Sequence, residues 1–395
     1  MQFPGFLRRH ALSPSLRMAR NHLAAHPDYL EVRKWAARAD MAYAKEPQGA
    51  RTTEVVIGNV NATWIDAKGA SKDRAILYLH GGAFIVETPG IHAALVARIG
   101  AQARARALMP SYRLAPEHPY PSALDDCIAA YRYLLDNGFS TADIALVGDS
   151  AGGNLVLGLM LRARDEGLPL PAGAVVMSPV TDGLLSGDSL RRNQGHDAMF
   201  APSLFHAMLP LYLPDPKQRT HPHVSPLHGN LEGLPPILML VGSTELLLDD
   251  SVRFASKCRS ASLEVWHDMP HVFPLFDFLP EAQDATQRIG RFVRECFAAS
   301  NARVAEVSGN AAGETGAGVE PAGSEAIPQP PLRELGPPAA AAASTPRAWL
   351  YLGLALLGAV AGIAPVLIWP SVLGTLFLGV ACGLAARFLE RGRDR

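Results

Sequence analysis

The feature that most constrains this chain is the pentapeptide GDSAG at residues 148–152. It directly follows the apolar run 144–147 and precedes residues 154–164, whose composition favours a helix. A serine with a glycine two residues to either side, between a strand and a helix, is the pattern of a nucleophile elbow. The turn is so tight that side chains beside it would collide, so glycine is needed on both flanks. The pattern predicts an α/β fold in which Ser150 stands above a sheet edge.

A second glycine-rich segment, HGGAF at residues 80–84, follows the strand-like run 75–79. Acyl transfer develops an oxyanion, and backbone N–H groups fixed in advance stabilise it. A glycine-rich loop at a strand end can present such groups, together with the residue after the nucleophile. We expect the oxyanion hole to comprise Gly81, Gly82, Ala83 and Ala151. In this arrangement Gly81 provides room for the backbone and the other three residues donate.

An acid and a base follow the serine in that order. The strand-like run 237–241 precedes Glu245 and Asp249. A further strand-like run, 263–266, precedes the two candidate bases His267 and His271. The order serine, acid, histidine is the one that α/β-hydrolases use, with the acid orienting the imidazole that takes the serine proton. The residues alone leave two acids and two histidines open.

These motifs give the chain a resemblance to the hormone-sensitive-lipase family of α/β-hydrolases, also called bacterial family IV esterases. The resemblance extends over roughly residues 50–300 and includes the stretch SYRLAPEHPYPSALDD at 111–126. It implies an α/β-hydrolase fold with a mostly parallel sheet and a helical cap. It also implies hydrolysis of short- to medium-chain acyl esters, sometimes lactones or acetylated small molecules. The catalytic residues that it implies are Ser150, Glu245 and His271.

Two positions depart from the family pattern. Ala83 stands where the family usually has a third glycine, and alanine keeps the N–H donor unless the position needs a positive φ. Glu245 stands where the family commonly has aspartate; glutamate is one methylene longer and can play the same role, with Asp249 as the alternative. The resemblance also assigns three further residues to a structural ion-pair network near the oxyanion loop: Arg113, Glu117 and Asp126.

Composition excludes several other functions. The net charge of −1 gives no reason to expect a nucleic-acid partner. The four cysteines have no CxxC spacing, which indicates a reducing compartment and neither a disulfide framework nor a metal site. Three histidines crowd one loop, but no carboxylate or cysteine shares their spacing in the manner of a zinc site: His221, His223 and His228. We expect neither a metal nor a cofactor.

The segments outside the motifs suggest a cap. Residues 1–50 contain a helical stretch at 15–43, and no apolar run in them could form a signal-peptide core. The family resemblance implies that this segment helps to cover the acyl pocket, together with an insertion at about 184–214 that is rich in Met, Phe and Leu. The catalytic domain is predicted to span residues 51–300.

The amino-acid composition changes after the catalytic domain. Residues 301–347 are rich in Ala, Gly and Pro and are predicted to be a disordered linker. The next 39 residues, 348–386, carry no formal charge, which is about the length of two short membrane spans and a turn. Arginines flank the run on both sides, and the positive-inside rule places both ends in the cytoplasm. We predict a transmembrane hairpin at 348–387, a basic tail at 388–395 and a cytoplasm-facing enzyme; one long span, or apolar helices packed on the hydrolase, are the alternatives.

The sequence therefore favours a membrane-tethered ester hydrolase with a small-molecule substrate. Two other functions use the same scaffold: ligand binding without catalysis, and acyl transfer to an alcohol or amine. Retention of serine, acid and histidine disfavours the first. The same three residues serve hydrolysis and transfer alike.

Overall fold

The computed structural model describes residues 13–45, 47, 49–313 and 333–335. A single mixed sheet runs through them, and helices cover both of its faces. The strands are β1 (Ala50–Ile57), β2 (Val60–Ala67), β3 (Ser71–Leu79), β4 (Ala105–Pro110), β5 (Ile144–Asp149), β6 (Gly173–Met177), β7 (Ile237–Gly242), β8 (Ala261–Trp266) and β9 (Arg333–Leu335). The helices are α1 (Ser13–Ala25), α2 (Tyr29–Tyr43), α3 (Pro89–Ala103), α4 (Ser122–Asp136), α5 (Ala151–Asp165), α6 (Ser189–Arg192), α7 (Pro202–Tyr212), α8 (Leu248–Lys257) and α9 (Pro280–Gly313).

The strand order is β1-β2-β4-β3-β5-β6-β7-β8-β9. Strand β2 is antiparallel to β1 and β4, and every pair from β4 to β9 is parallel. The expected α/β fold with a mostly parallel sheet is confirmed. All four strand-like runs of the sequence are strands, namely β3, β5, β7 and β8. Because these strands are parallel, the loops that carry the candidate residues all leave from the same edge.

The apolar runs of the central strands follow from burial on both faces. Strands β5, β6 and β7 are buried along their whole length, as expected where helices cover both sides of a parallel sheet. Alternate residues of β3 enter opposite cores: Leu77 packs in the core that includes α4 and α5 residues. Its neighbour Ile76 packs in the core that includes α3 and α9 residues. The sheet is thereby fixed as a rigid support for its edge loops.

The segments predicted to form a cap are helical. The stretch 15–43 is divided between two helices, because Asp28 starts the second one by accepting the N–H of Leu30 at 2.9 Å. The insertion at 184–214 contains α6 and α7.

The carboxyl-terminal part differs from the predicted boundaries. Helix α9 continues past the predicted start of the linker at residue 301, where Asn301 Nδ2 still bonds to Asp143 Oδ1 at 3.0 Å. Strand β9, which pairs with β8, also falls inside the predicted linker. The predicted hairpin at 348–387 and the tail at 388–395 lie outside the described residues. Within the described ranges, no helix combines the length and the apolar character needed to span a bilayer.

Candidate active site

Ser150 lies in a strained turn between β5 and α5. Its φ and ψ are 52° and −119°, a conformation that non-glycine residues rarely adopt and that is typical of functional sites. Its N–H donates to the carbonyl of Met177 at 2.8 Å, which ties the turn to the end of β6. A Cβ at Gly152 would overlap the carbonyl oxygen of Leu79, so only glycine fits there. The turn between β5 and α5 is as tight as the GDSAG pattern predicts.

Glu245 and His271 lie together at the ends of β7 and β8, and both side chains are buried. His271 Nδ1 is 2.8 Å from Glu245 Oε2. A carboxylate only accepts hydrogen bonds, so Nδ1 carries the proton and Nε2 is left as the acceptor. That Nε2 atom is buried and has no hydrogen-bond partner among the described residues. The imidazole is therefore fixed in the tautomer that can take up a proton.

The two alternative residues have other partners. Asp249 lies on α8, where its Oδ1 pairs with Arg192 Nη2 at 2.7 Å. The His267 side chain is 55% exposed and lies beside Asp268. Of the candidates left open by the sequence, Glu245 and His271 are the pair that the fold brings together.

The electrostatics of His271 favour its protonated form. Burial by itself lowers the pKa of the imidazole, but the Glu245 carboxylate, together with the more distant Asp197 and Asp149, outweighs burial, so the pKa is raised above its ordinary 6.5. The ring of Phe200 meets the imidazole edge to face, with centroids 4.9 Å apart. This ring comes from the insertion at 184–214.

Sequence reasoning missed Ser178, which follows β6. Its buried hydroxyl donates to Glu245 Oε1 at 2.8 Å and accepts from the N–H of Val272 at 3.1 Å. The Gly242 N–H also donates to Glu245 Oε1, at 2.5 Å. Ser178 thus links the loop after β7 that carries Glu245 (the acid loop) to the loop after β8 that carries His271 and Val272 (the histidine loop). Its place at the carboxyl end of a central strand was the one available signal.

The oxyanion loop follows β3 in a tight turn with three successive positive φ angles: Gly82 122°, Ala83 55° and Phe84 63°. The family's third glycine corresponds to a position where a positive φ is used, and here alanine occupies it at a cost of about 1–2 kcal/mol. Among the described residues, no hydrogen bond uses the N–H of Gly82 or Ala83. Ala151 is the first residue of α5, where the N–H has no partner within the helix. These three donors are available, and their role in an oxyanion hole stays a prediction.

The N–H of Gly81 is already used, which fits the spacing role expected for it. It donates to Asp149 Oδ1 at 3.0 Å, and Asp149 also accepts from the Tyr78 hydroxyl at 2.7 Å. His92 Nε2 lies 3.4 Å from Asp149 Oδ2. Burial raises the pKa of Asp149, but His92 and Tyr78 outweigh it and lower the pKa. The Asp149 carboxylate therefore ties the elbow to the oxyanion loop, and the contribution of His92 was missed by sequence reasoning.

His80 orients the same loop. Its Nδ1 lies 2.7 Å from the carbonyl oxygen of Gly81, and its ring stacks on Tyr112 with centroids 4.2 Å apart. Burial lowers the pKa of His80 to about 4, so the ring is neutral at physiological pH. A neutral, fully packed ring supports the loop and provides no charge.

Of the three residues assigned to the ion-pair network near the oxyanion loop, two pair with each other and the third pairs with a residue of α2. Arg113 binds Asp126, with the shortest contact at 2.8 Å. Glu117 instead pairs with Arg33 of α2, whose guanidinium also donates to the carbonyls of Ile85 and Ala115 at 2.9 Å each. The amino-terminal segment therefore supports the oxyanion loop directly.

The three histidines of the proline-rich loop do not converge on one point. His223 Nε2 lies 2.9 Å from Asp165 Oδ2, whereas His228 Nε2 lies 3.1 Å from Asp182 Oδ1. No group of three or more His, Cys, Asp or Glu side chains in the described part of the chain could hold a metal ion.

Comparisons with known proteins show the same fold. Residues 76–275 match a family model described as an alpha/beta hydrolase fold. The chain is 40% identical to an esterase of Acinetobacter venetianus over 228 residues, which cover 56% of this chain and 75% of that protein. It is 37% identical to an acetyl-hydrolase of Streptomyces hygroscopicus over 246 residues, covering 61% and 81% of the two chains.

A crystal structure of an esterase from the bacterial hormone-sensitive lipase family superposes with a TM-score of 0.69 and 36% identity. The match covers 75% of this chain and all of that one. The chain therefore belongs to the α/β-hydrolase family, within its bacterial hormone-sensitive-lipase-like group.

Proposed function

We propose that this protein is a carboxylic ester hydrolase that works through Ser150, His271 and Glu245. The observation that carries the proposal is the environment of His271. Its Nδ1 is held by a buried carboxylate at 2.8 Å. Its Nε2, at the sheet edge that also carries Ser150, has no hydrogen-bond partner in the part of the chain that the structure describes. Relatives named esterase and acetyl-hydrolase support the same chemistry.

The proposed reaction has two halves. The Ser150 hydroxyl attacks the ester carbonyl while His271 Nε2 takes its proton, and Glu245 stabilises the imidazolium. The oxyanion accepts hydrogen bonds from three backbone N–H groups: Gly82, Ala83 and Ala151. The C–O bond to the alcohol breaks as His271 returns the proton to the leaving oxygen. Water then attacks the acyl-enzyme by the same route, which releases the carboxylic acid and restores Ser150.

We further propose that the preferred acyl groups are short. Phe200 meets His271, and Phe84 of the oxyanion loop stacks on Tyr212 of the insertion with ring centroids 3.8 Å apart. Phe205 lies beside Phe200, with centroids 5.6 Å apart. In our proposal, α1, α2 and the insertion form the cap, and three of these rings come from the insertion: Phe200, Phe205 and Tyr212.

The test is hydrolysis of p-nitrophenyl esters from acetate to palmitate by the full chain. Activity should peak at short acyl chains, and Ser150→Ala or His271→Ala should lower kcat by at least about 10³-fold. His267→Ala is the matched control and should retain activity. Absence of turnover on every ester by the folded protein would refute the proposal and favour a binding function. A peak at palmitate would refute only the short-chain preference.

Membrane tethering is a separate proposal that rests on the uncharged run 348–386 and its flanking arginines. We propose that this run anchors the enzyme and that the catalytic domain faces the cytoplasm. The full chain should then stay with carbonate-washed membranes, and a chain ending at residue 347 should be released. External protease should leave the catalytic domain of intact cells uncut. Release of the full chain by carbonate would overturn the anchor, and cleavage in intact cells would overturn the orientation.

A further inference from the structure

Asp197 is a buried carboxylate in the insertion at 184–214, and the proposed reaction does not use it. It is 1% exposed, and no ion pair within the described residues involves it. A buried carboxylate is costly unless hydrogen bonds compensate it. Here three backbone N–H groups do so: Met199 at 2.8 Å, Phe200 at 2.9 Å and Leu246 at 2.8 Å.

The two oxygens of Asp197 bind different parts of the chain. Oδ1 accepts from Met199 and Phe200, which orders the turn before α7. Oδ2 accepts from Leu246, the residue directly after Glu245. Asn193 reinforces the junction, since its Nδ2 donates to the carbonyl of Glu245 at 2.8 Å. The insertion and the acid loop are thus joined by side-chain-to-backbone bonds.

The turn that Asp197 orders carries Phe200 to the imidazole. The Phe200 ring lies at 81° to His271, with centroids 4.9 Å apart. Each oxygen of Asp197 therefore binds a segment that contacts His271. Oδ1 binds the turn that carries Phe200, and Oδ2 binds the residue after Glu245.

The insertion is also held from its other side. Arg20 of α1 donates to the carbonyl of Gln194 at 2.6 Å, and Arg17 donates to the carbonyl of Gly195 at 3.1 Å. The segment that precedes Asp197 is therefore fixed to the amino-terminal helices. Displacement of the insertion as a whole would have to break both sets of contacts.

Three carboxylates act on His271, each from a different element. Glu245 comes from the loop after β7, Asp197 from the insertion and Asp149 from the end of β5. Burial lowers the pKa of His271, and all three carboxylates raise it. Removal of one negative charge should move this pKa downward.

We propose that Asp197 is a positioning residue that couples the insertion to the acid loop, holding Phe200 against His271 and Glu245 at hydrogen-bonding distance from it. This inference rests on the proposed function, because it assumes that His271 is the base. The coupling explains why the aromatic ring and the carboxylate keep a fixed relation to one imidazole although they come from separate parts of the chain.

The test is Asp197→Asn in the full chain, assayed as kcat/KM for p-nitrophenyl acetate against pH. The amide cannot accept from all three N–H groups and carries no charge. We expect a loss of about tenfold in kcat/KM and a downward shift of the acidic limb by about 0.5 pH unit. Asp40→Asn is the matched control, because Asp40 also accepts two backbone N–H groups, from Gly90 at 3.1 Å and Ile91 at 2.8 Å. It should change stability and leave both readouts within about twofold and 0.1 unit.

The role of the ring is tested by Phe200→Ala alone and combined with Asp197→Asn. If Asp197 acts through Phe200, the double variant loses about as much kcat as Asp197→Asn alone. Multiplicative losses, or an unmoved acidic limb in a folded Asp197→Asn protein, would overturn the proposal. If Asp197→Asn does not fold, unchanged kcat in Phe200→Ala overturns it. Full activity of Ser150→Ala would instead refute the proposed function itself.

Discussion

Replacing Ser178 by alanine tests whether one hydroxyl holds the acid loop and the histidine loop together. The Ser178 Oγ donates to Glu245 Oε1 at 2.8 Å and accepts from the Val272 N–H at 3.1 Å. Ser178 is 1% exposed, so water has no access to replace these contacts. The substitution removes both bonds and leaves the Val272 N–H buried without a partner.

The magnitude follows from these two bonds. A hydrogen bond to a carboxylate contributes about 1.5–3 kcal/mol, and an unpaired buried N–H costs about 1–3 kcal/mol. The two effects share one atom, so we expect a loss of about 2–4 kcal/mol in the free energy of unfolding and a Tm lower by about 5–10 °C. Glu245 keeps its bond from the Gly242 N–H, so the pair with His271 loosens without separating. We expect kcat/KM to fall about 10- to 100-fold, which corresponds to about 1.4–2.7 kcal/mol.

Ser225→Ala is the control, measured by the same thermal melts and p-nitrophenyl acetate kinetics. Ser225 is buried, accepts from the Gly183 N–H at 2.8 Å and donates to the carbonyl of Arg219 at 2.5 Å. The two variants lose the same atom and the same number of bonds, so their Tm losses should be similar. Only Ser178→Ala should lose activity. Wild-type kcat/KM in Ser178→Ala, or equal losses in both variants, would refute the coupling.

Four further predictions concern single groups. Since the base must be neutral and the pKa of His271 is raised, kcat/KM should fall as pH drops through a value above 6.5; a pH profile with its acidic limb below 6.5 would contradict this. Glu245→Gln should lower kcat by about 10³-fold or more, whereas Asp249→Asn should retain kcat within about threefold; equal losses in steady-state assays would contradict the assignment. Ala83→Gly should relieve the strain at φ 55° and raise stability by up to about 1 kcal/mol in chemical denaturation with activity retained, and a destabilised variant would show that the strain is absent. Burial raises the pKa of Asp250 to about 7 from 3.8, so ionisation of this carboxyl lowers the free energy of unfolding increasingly as pH rises from about 4 to 7. Asp250→Asn should therefore stabilise the protein more at pH 8 than at pH 5 in chemical denaturation. A gain in stability that does not depend on pH would disprove this prediction.

The elements nearest the site could be predicted from local patterns. The GDSAG turn, the HGG loop and four strand-like runs lie within short windows, and each window contains its own glycines or apolar residues. Residue 152 must be glycine because a Cβ there would overlap the carbonyl oxygen of Leu79, and this requirement is visible in the sequence as the glycine itself. The position of Ser150 between a strand and a helix can therefore be predicted from the local sequence.

The partner contacts could not be predicted in this way. Ser178 is 94 positions from Val272, and Asp197 is 49 positions from Leu246. A lone serine after a strand or an aspartate in a loop has the same local pattern whether it is solvated or buried. The continuation of α9 past residue 300 also involves a distant contact, between Asn301 and Asp143, that local composition does not record.

The sequence by itself determined the candidate nucleophile and with it the fold class, because the GDSAG turn is a short pattern with one steric solution. It also determined the order of the acid and the base, because both follow strand-like runs along the chain. The tertiary structure decided which acid meets which histidine. Glu245 lies in the loop after β7 and contacts His271, while Asp249 enters α8 and faces Arg192. The two carboxylates are chemically alike and four residues apart, so local sequence cannot separate them. Adjacent parallel strands separate them, because β7 and β8 end at the same edge and only the loop residue reaches the imidazole there.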